Sequence, residues 1–291
     1  MNRLKNILLV VTFILISVGG YAQNYTAKAY KFYQVKQFDS AMLYIDSAVV
    51  SIDESKYSKT WQLRGVVYRN LEAKHGIKYR EIALQSFLEA RKVDTLNEFK
   101  LEIDSYIENL NVRYYNDAVN NVLSGNLEKA EQPYLTYKQN YWAYLDENKD
   151  FNAIDIQFYN ALASAWFKRN TLVESGEKKT VYSNAIRYFG KVLAIDSTNY
   201  SANYGIGISY YNQGADVVEG MDPFSTDIEE IDRIQNESIE LFKSGEPYLK
   251  KAFEINPNEK EVVEGLTGIY YSLNEDKEYE YFQQLLNKME E

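Results

Sequence analysis

The chain has 291 residues, is 45% hydrophobic and 25% charged, and carries a formal net charge of -10 from 42 acidic and 32 basic residues. A body this acidic repels phosphate backbones, which argues against a nucleic-acid partner. With no cysteine and one histidine, disulfides are excluded and the usual zinc ligand sets are missing.

The first 22 residues differ from the rest. Arg3 and Lys5 precede an apolar run, Ile7 to Val18, and small residues follow at Gly19, Gly20 and Ala22. This is the three-part pattern of a secretory signal peptide over 1–22, with cleavage expected between Ala22 and Gln23. The twelve apolar residues fall short of the roughly 20 needed to span a bilayer. Without cysteine there is no acceptor for the lipid of a bacterial lipoprotein. The expectation is an exported, soluble mature chain without stable membrane insertion, periplasmic first and extracellular as the alternative.

From residue 23 to 291 apolar residues recur at helical spacing, and strand-like alternation is hard to find. The expected class is all-α. Four prolines, 14 glycines and no Ser-rich or Gly-rich run leave no linker between separate globular domains. A unit repeats along this region. A small residue, a large one four positions on and a further landmark at seven occur at Ala41, Ile45 and Ala48. The same step appears at Ala83, Phe87 and Ala90; at Ala130, Tyr134 and Tyr137; at Ala185, Phe189 and Val192; and at Gly245, Leu249 and Ala252. Such a face lets a neighbouring helix approach closely. Upstream of these runs a second signature pairs a small residue with an aromatic three positions later: Ala29 with Phe32, Gly65 with Tyr68, Ala163 with Trp166, Gly207 with Tyr210. Thr267 before Tyr270 replaces it in the last unit, and Asn121 takes the aromatic position in the third.

The pattern resembles the tetratricopeptide repeat family, with "WQLRGVVY" (Trp61 to Tyr68) similar to the start of its consensus and "YLKKAFEINPNEKE", carrying Ala252 and Pro257, similar to its end. The resemblance implies a right-handed α-solenoid of about five to six helix-turn-helix repeats, starting near residues 23, 58, 111, 156, 200 and 260. The step from first-helix to second-helix small residue is 12 from Ala29 to Ala41, but 18 from Gly65 to Ala83, 22 from Ala163 to Ala185 and 38 from Gly207 to Gly245. All the extra residues enter at the same turn. The longest addition, about 214–243, should form a loop and then an extra or lengthened second helix from near Thr226 or Asp227. The stretch from about Glu98 to Leu123 is expected to be one long helix, and the "YEYFQQLLNKMEE" end the last.

Chemistry is sparse. His75, before Gly76, reads as a helix-end residue, not a catalytic base. Asp146, Asn148, Asp150 and Asn152 alternate as in a calcium loop, but Phe151 occupies the position that needs glycine and Gln157 that of the bidentate acid. They read as a solvated loop. No catalytic residue, metal site or cofactor site is expected, and no enzyme. By resemblance the groove-lining, partner-binding positions fall on Gln62, Arg69, Tyr115, Asn160, Phe167, Tyr204 and Tyr211. The expected function is a protein-binding adaptor or scaffold of the bacterial cell envelope, taking a protein or peptide on the solenoid surface or on its insertion-bearing edge. The alternative is a glycan or small-ligand binder that uses groove aromatics. Three or more of Tyr115, Phe167, Tyr204, Tyr211 and Tyr271 in one deep pocket would favour the latter.

Overall fold

Apolar residues three and four apart give each segment one buried stripe, and the stripes pair neighbouring helices. The computed structural model describes residues 24–222 and 226–290; among them are twelve α-helices, two 3-10 turns and no strand. The expected signal peptide lies outside the described residues. The architecture is an all-α helical-repeat fold. It divides into two compact units, one ending at Ile107 and one beginning at Glu108.

The first unit holds α1 (Tyr25–Gln34), α2 (Phe38–Val50), α3 (Ser58–His75), α4 (Ile77–Val93) and the opening turns of α5 (Lys100–Leu123). Within it α1 packs on α2 and α3 on α4. Ala29, Ala41, Ile45 and Ala48 are fully buried. The start of α1 is held twice: Asn24 accepts the Ala27 N–H at 2.8 Å, and the Glu54 carboxylate accepts those of Tyr25 and Thr26 at 3.0 and 2.7 Å. Both acceptors satisfy helix-terminal donors, and the charge of Glu54 suits the helix dipole. Between α3 and α4, Phe87 fills the place of a missing side chain, since a Cβ on Gly65 would lie 2.5 Å from its ring. The six extra residues of this pair lengthen both helices around Gly76. Its φ of +82° is one that L side chains rarely adopt. His75 ends α3, with its ring stacked on Tyr79 and Nε2 3.5 Å from Asp39. The hydrogen bond from Lys74 holds the Asp39 carboxyl below its usual range.

The second unit contains the rest of α5, α6 (Glu131–Tyr144), α7 (Asn152–Lys168), α8 (Ser175–Leu193), α9 (Tyr200–Glu219), α10 (Ile228–Ile255), α11 (Lys260–Ser272) and α12 (Asp276–Glu290). The 3-10 turns are Leu127–Lys129 and Arg169–Leu172. The long helix expected from about Glu98 starts at Lys100. Asn121, where an aromatic was the pattern, donates its amide to the Lys129 carbonyl at 3.2 Å and so fastens α5 to the turn before α6. Ala118, Ala130, Tyr134, Ala163, Ala185 and Val192 are fully buried. In the loop before α7 the carboxylates of Asp146 and Asp150 turn back on the chain, accepting the N–H of Asn148 and Asn152 at 3.0 and 2.8 Å.

One arrangement recurs between neighbouring helices and explains part of the tyrosine content. Within the first unit, the Tyr68 hydroxyl donates to Asp46 at 2.7 Å while Arg64 bonds the other oxygen at 2.8 Å. In the second unit Tyr134 and Lys138 grip Asp155, Tyr188 and Lys191 grip Glu131, Tyr182 and Lys178 grip Asp216, and Tyr270 and Lys250 grip Glu246. A buried phenol needs a hydrogen-bond partner, and a carboxylate drawn toward the core needs a cation. Each cluster meets both needs at once.

Candidate functional site

The largest departure from the repeat lies in the second unit, at α9 and α10. Asn199 caps α9 by accepting the Ala202 N–H at 3.1 Å, and Asp227 caps α10 by accepting that of Glu230 at 2.8 Å. Glu229 and Glu230 occupy the first turn of α10, where negative charge complements the helix dipole. The second helix is therefore lengthened, to 28 residues, and α9 runs to 20. At about 1.5 Å per residue, the segment Ile228–Leu241 adds roughly 21 Å ahead of the part that matches α2.

The lengthened part continues the packing of the ordinary part. A Cβ on Gly207 would stand 2.6 Å from Leu249 Cγ. Seven residues further along α9 a Cβ on Gly214 would stand 2.6 Å from the ring of Phe242, which is seven residues earlier on α10. Antiparallel helices stepping by a heptad each keep the same faces in contact. Gly207 and Leu249 are both landmarks in the sequence; Gly214 and Phe242 are not.

Two open clefts flank the extension. The first, about 310 Å³, lies on the α8 side and includes Lys178, Lys179, Tyr182, Asp216 and Glu237. Its polar groups are engaged with one another: Lys178 bonds Asp216 at 2.6 Å, and the Tyr182 hydroxyl donates to Asp216 at 3.0 Å and accepts from Asn170 at 2.9 Å. Burial pushes the Tyr182 phenol up to about 12. The second cleft, about 470 Å³, lies on the α11 side. Tyr211, Ala215 and Val218 line it from α9, Ser238, Ile239 and Phe242 from α10, and Ser272 and Asn274 close one end.

Of the seven expected partner-binding residues, Gln62 and Arg69 belong to the first unit and the other five to the second. Gln62 is buried, its amide donating to Ser58 at 2.9 Å and accepting from Lys59 at 3.2 Å. Arg69 lies over the Tyr106 ring at 5.4 Å. Tyr115 packs on Tyr134 and Tyr137. Asn160 donates to Asn199 at 3.3 Å, while its own Oδ1 is buried with no hydrogen-bond partner. Phe167 leans on Tyr182. Tyr204 and Tyr211 are half-buried against the cluster formed by α10, α11 and α12 rather than facing open water. The physical reason is α11: Gly268 leaves space that the Tyr211 ring enters, its hydroxyl 2.5 Å from where a Cβ would be. Tyr211 alone of the five named aromatics lines the second cleft, so this cleft does not meet the condition set for a glycan pocket. Sequence reasoning passed over Val218 and Ile239. The spacing of Tyr211, Ala215 and Val218 was the available signal.

No family model and no curated protein matches the chain. Among solved structures it is similar to a monomeric mutant of IFIT1 with Gppp-AAAA, at a TM-score of 0.33 and 13% identity, covering 89% of this chain and 58% of that one. A second IFIT1 mutant structure, with m7Gppp-AAAA, also gives 0.33 and 13%, over 90% and 58%. The TPR2AB domain of yeast Sti1 in a complex with pHSP90 gives 0.28 and 16%, over 92% of this chain and 97% of that one. At this level of similarity the helix faces themselves carry the functional argument.

Proposed function

We propose that the chain is a non-enzymatic scaffold of the tetratricopeptide-repeat type, exported to the bacterial envelope, that engages a partner protein on its helix faces. The observation that carries this is the α9–α10 extension. It keeps a heptad packing contact at Gly214 and Phe242, and it holds an open, mainly apolar cleft beside that contact. Helical repeats are suited to such a role because each pair buries its own stripe and leaves other faces for partners. Among the described residues no helix is long and apolar enough to cross a membrane.

The test is photocrosslinking in cells, with a crosslinking amino acid placed singly at Val218, at Tyr271 and at Leu43, which are 41%, 69% and 68% exposed. At least one face is expected to yield a discrete heavier species containing a second protein. If all three give only the chain itself, the scaffold reading fails. Export is tested separately: the mature protein should begin at Gln23, and an N-terminus at Met1 in the cytoplasmic fraction would sink it.

A further inference from the structure

We propose that the cleft between the lengthened part of α9–α10 and the end of α11 docks a basic amphipathic helix supplied by a partner protein. This inference rests on the scaffold reading and names the site and the chemistry of the partner.

The shape argues for a helix. Tyr211, Ala215 and Val218 recur at intervals of four and three along α9, and Gln235, Ile239 and Phe242 do the same along α10. Two such stripes side by side form the groove that a third helix fills with its own i, i+3, i+4 and i+7 side chains. Elsewhere in the second unit that position beside a helix pair is taken by the next pair: Leu249 meets Gly265 of α11 and Tyr211 meets Gly268. Helix α11 stops at Ser272, level with the start of the cleft, so among the described residues the stripes continue beyond it without a covering helix. Val218 is accordingly 41% exposed at the far end of the α9 stripe. A compact small ligand is a poorer fit, because such sites bury most of the ligand in an enclosed pocket and this cleft is open along the helix axes.

The charge argues for a basic helix. Among the cleft-lining residues the charged one is Glu219. Asp232 stands three residues before Gln235 on the same stripe of α10, and beyond α11 the turn residue Glu275 and the first α12 residue Asp276 stand against Lys277. Two cations of α10 near this stripe are already paired, Arg233 with Glu230 at 2.6 Å and Glu237 at 3.3 Å, and Lys243 with Glu240 at 3.1 Å. An apolar floor with an acidic rim selects a helix whose apolar face is bordered by lysine or arginine. The first cleft is closed to such a partner by its own charges, since a helix there would have to break the ion pair of Lys178 with Asp216.

The experiment uses the full mature chain and three labelled synthetic peptides of about 18 residues, long enough for several helical turns. One has a leucine stripe flanked by lysines, one the same stripe flanked by glutamates, and one the lysine composition with the stripe scrambled. Fluorescence anisotropy should show the first binding at least about tenfold more tightly than the other two, with helix formation seen by circular dichroism. Val218→Arg and Gln235→Arg, both at exposed positions that leave the fold intact, should each weaken it by about tenfold; Leu43→Arg, in the other unit, should not. Equal binding of the scrambled peptide, no binding of the first, or wild-type affinity in both cleft variants would overturn the proposal. A dimer in sedimentation that Val218→Arg dissociates would overturn it as well, by assigning the cleft to a second copy. Crosslinks from Tyr271 or Leu43 without any from Val218 would remove this cleft and leave the scaffold reading standing.

Discussion

The pairs α1–α2 and α9–α10 carry the same landmark positions and end differently. In the first, Ala29 and Ala41 lie 12 residues apart and the turn between the helices is short; in the second, Gly207 and Gly245 are 38 apart. Both bury their small landmarks, Ala29 and Ala41 in one and Gly207 and Gly245 in the other, so the extra length leaves the repeat's packing faces in place. It alters what the pair leaves uncovered. Both pairs are fastened to their neighbours by phenol–carboxylate bonds, Tyr68 to Asp46 of α2 and, around α9–α10, Tyr182 to Asp216 and Tyr270 to Glu246.

Alkali should still separate the two, because burial raises the Tyr68 phenol further than those of Tyr182 and Tyr270, and this is the largest effect expected. Burial pushes the phenols of both Tyr182 and Tyr270 from 10.0 up to about 12. A group whose pKa is raised on folding contributes stability that is complete below its unfolded value and is lost as the pH rises through the folded one. Stability should thus fall between pH 10 and about 12. In that window tyrosinate faces carboxylate in each cluster, and the α9–α10 region should become protease-sensitive before α1–α2. Simultaneous loss of both regions would show that they do not differ in this respect. Tyrosinate absorbance followed beside circular dichroism checks the order.

The next effect is steric. Gly207→Leu should overpack the pair against Leu249 and destabilise the fold by about 1–3 kcal/mol. Gly214→Leu creates the same clash with Phe242, but in the projecting part, where the helices can splay at lower cost. It should lower the melting temperature less. An unchanged melting temperature for Gly207→Leu would disprove the packing register, and equal losses would mean that the extension is as constrained as the ordinary part.

The repeat was legible because its landmarks sit at short, fixed intervals. Ala41, Ile45 and Ala48, or Ala83, Phe87 and Ala90, betray a helix face within eight residues, and all six are fully buried. What lies opposite such a face is not encoded locally. The phenol–carboxylate clusters join Tyr134 to Asp155 and Lys191 to Glu131, residues 21 and 60 positions apart, and no spacing rule predicts them. Tyr211 illustrates the same limit at the candidate site. Its helical position was readable, but its exposure depends on Gly268, in a helix two elements later. Val218 shows the converse: a neighbour that ends early leaves it open.

The smallest effect tests whether the projecting end behaves as a local region. Asp227 caps α10 at a point where Ile228 is 77% exposed, so little packing depends on this turn. Asp227→Ala should remove about 1 kcal/mol of local helix stability. Amide exchange should accelerate in the first turns of α10 with little change in the melting temperature. Asn24→Ala, at the start of α1, should produce less fraying, because Glu54 still accepts two N–H groups there. If Asp227→Ala instead lowered the melting temperature as much as Gly214→Leu, the end of α10 would belong to the cooperative core. The contrast between a closed pair and a projecting one would then rest on length alone.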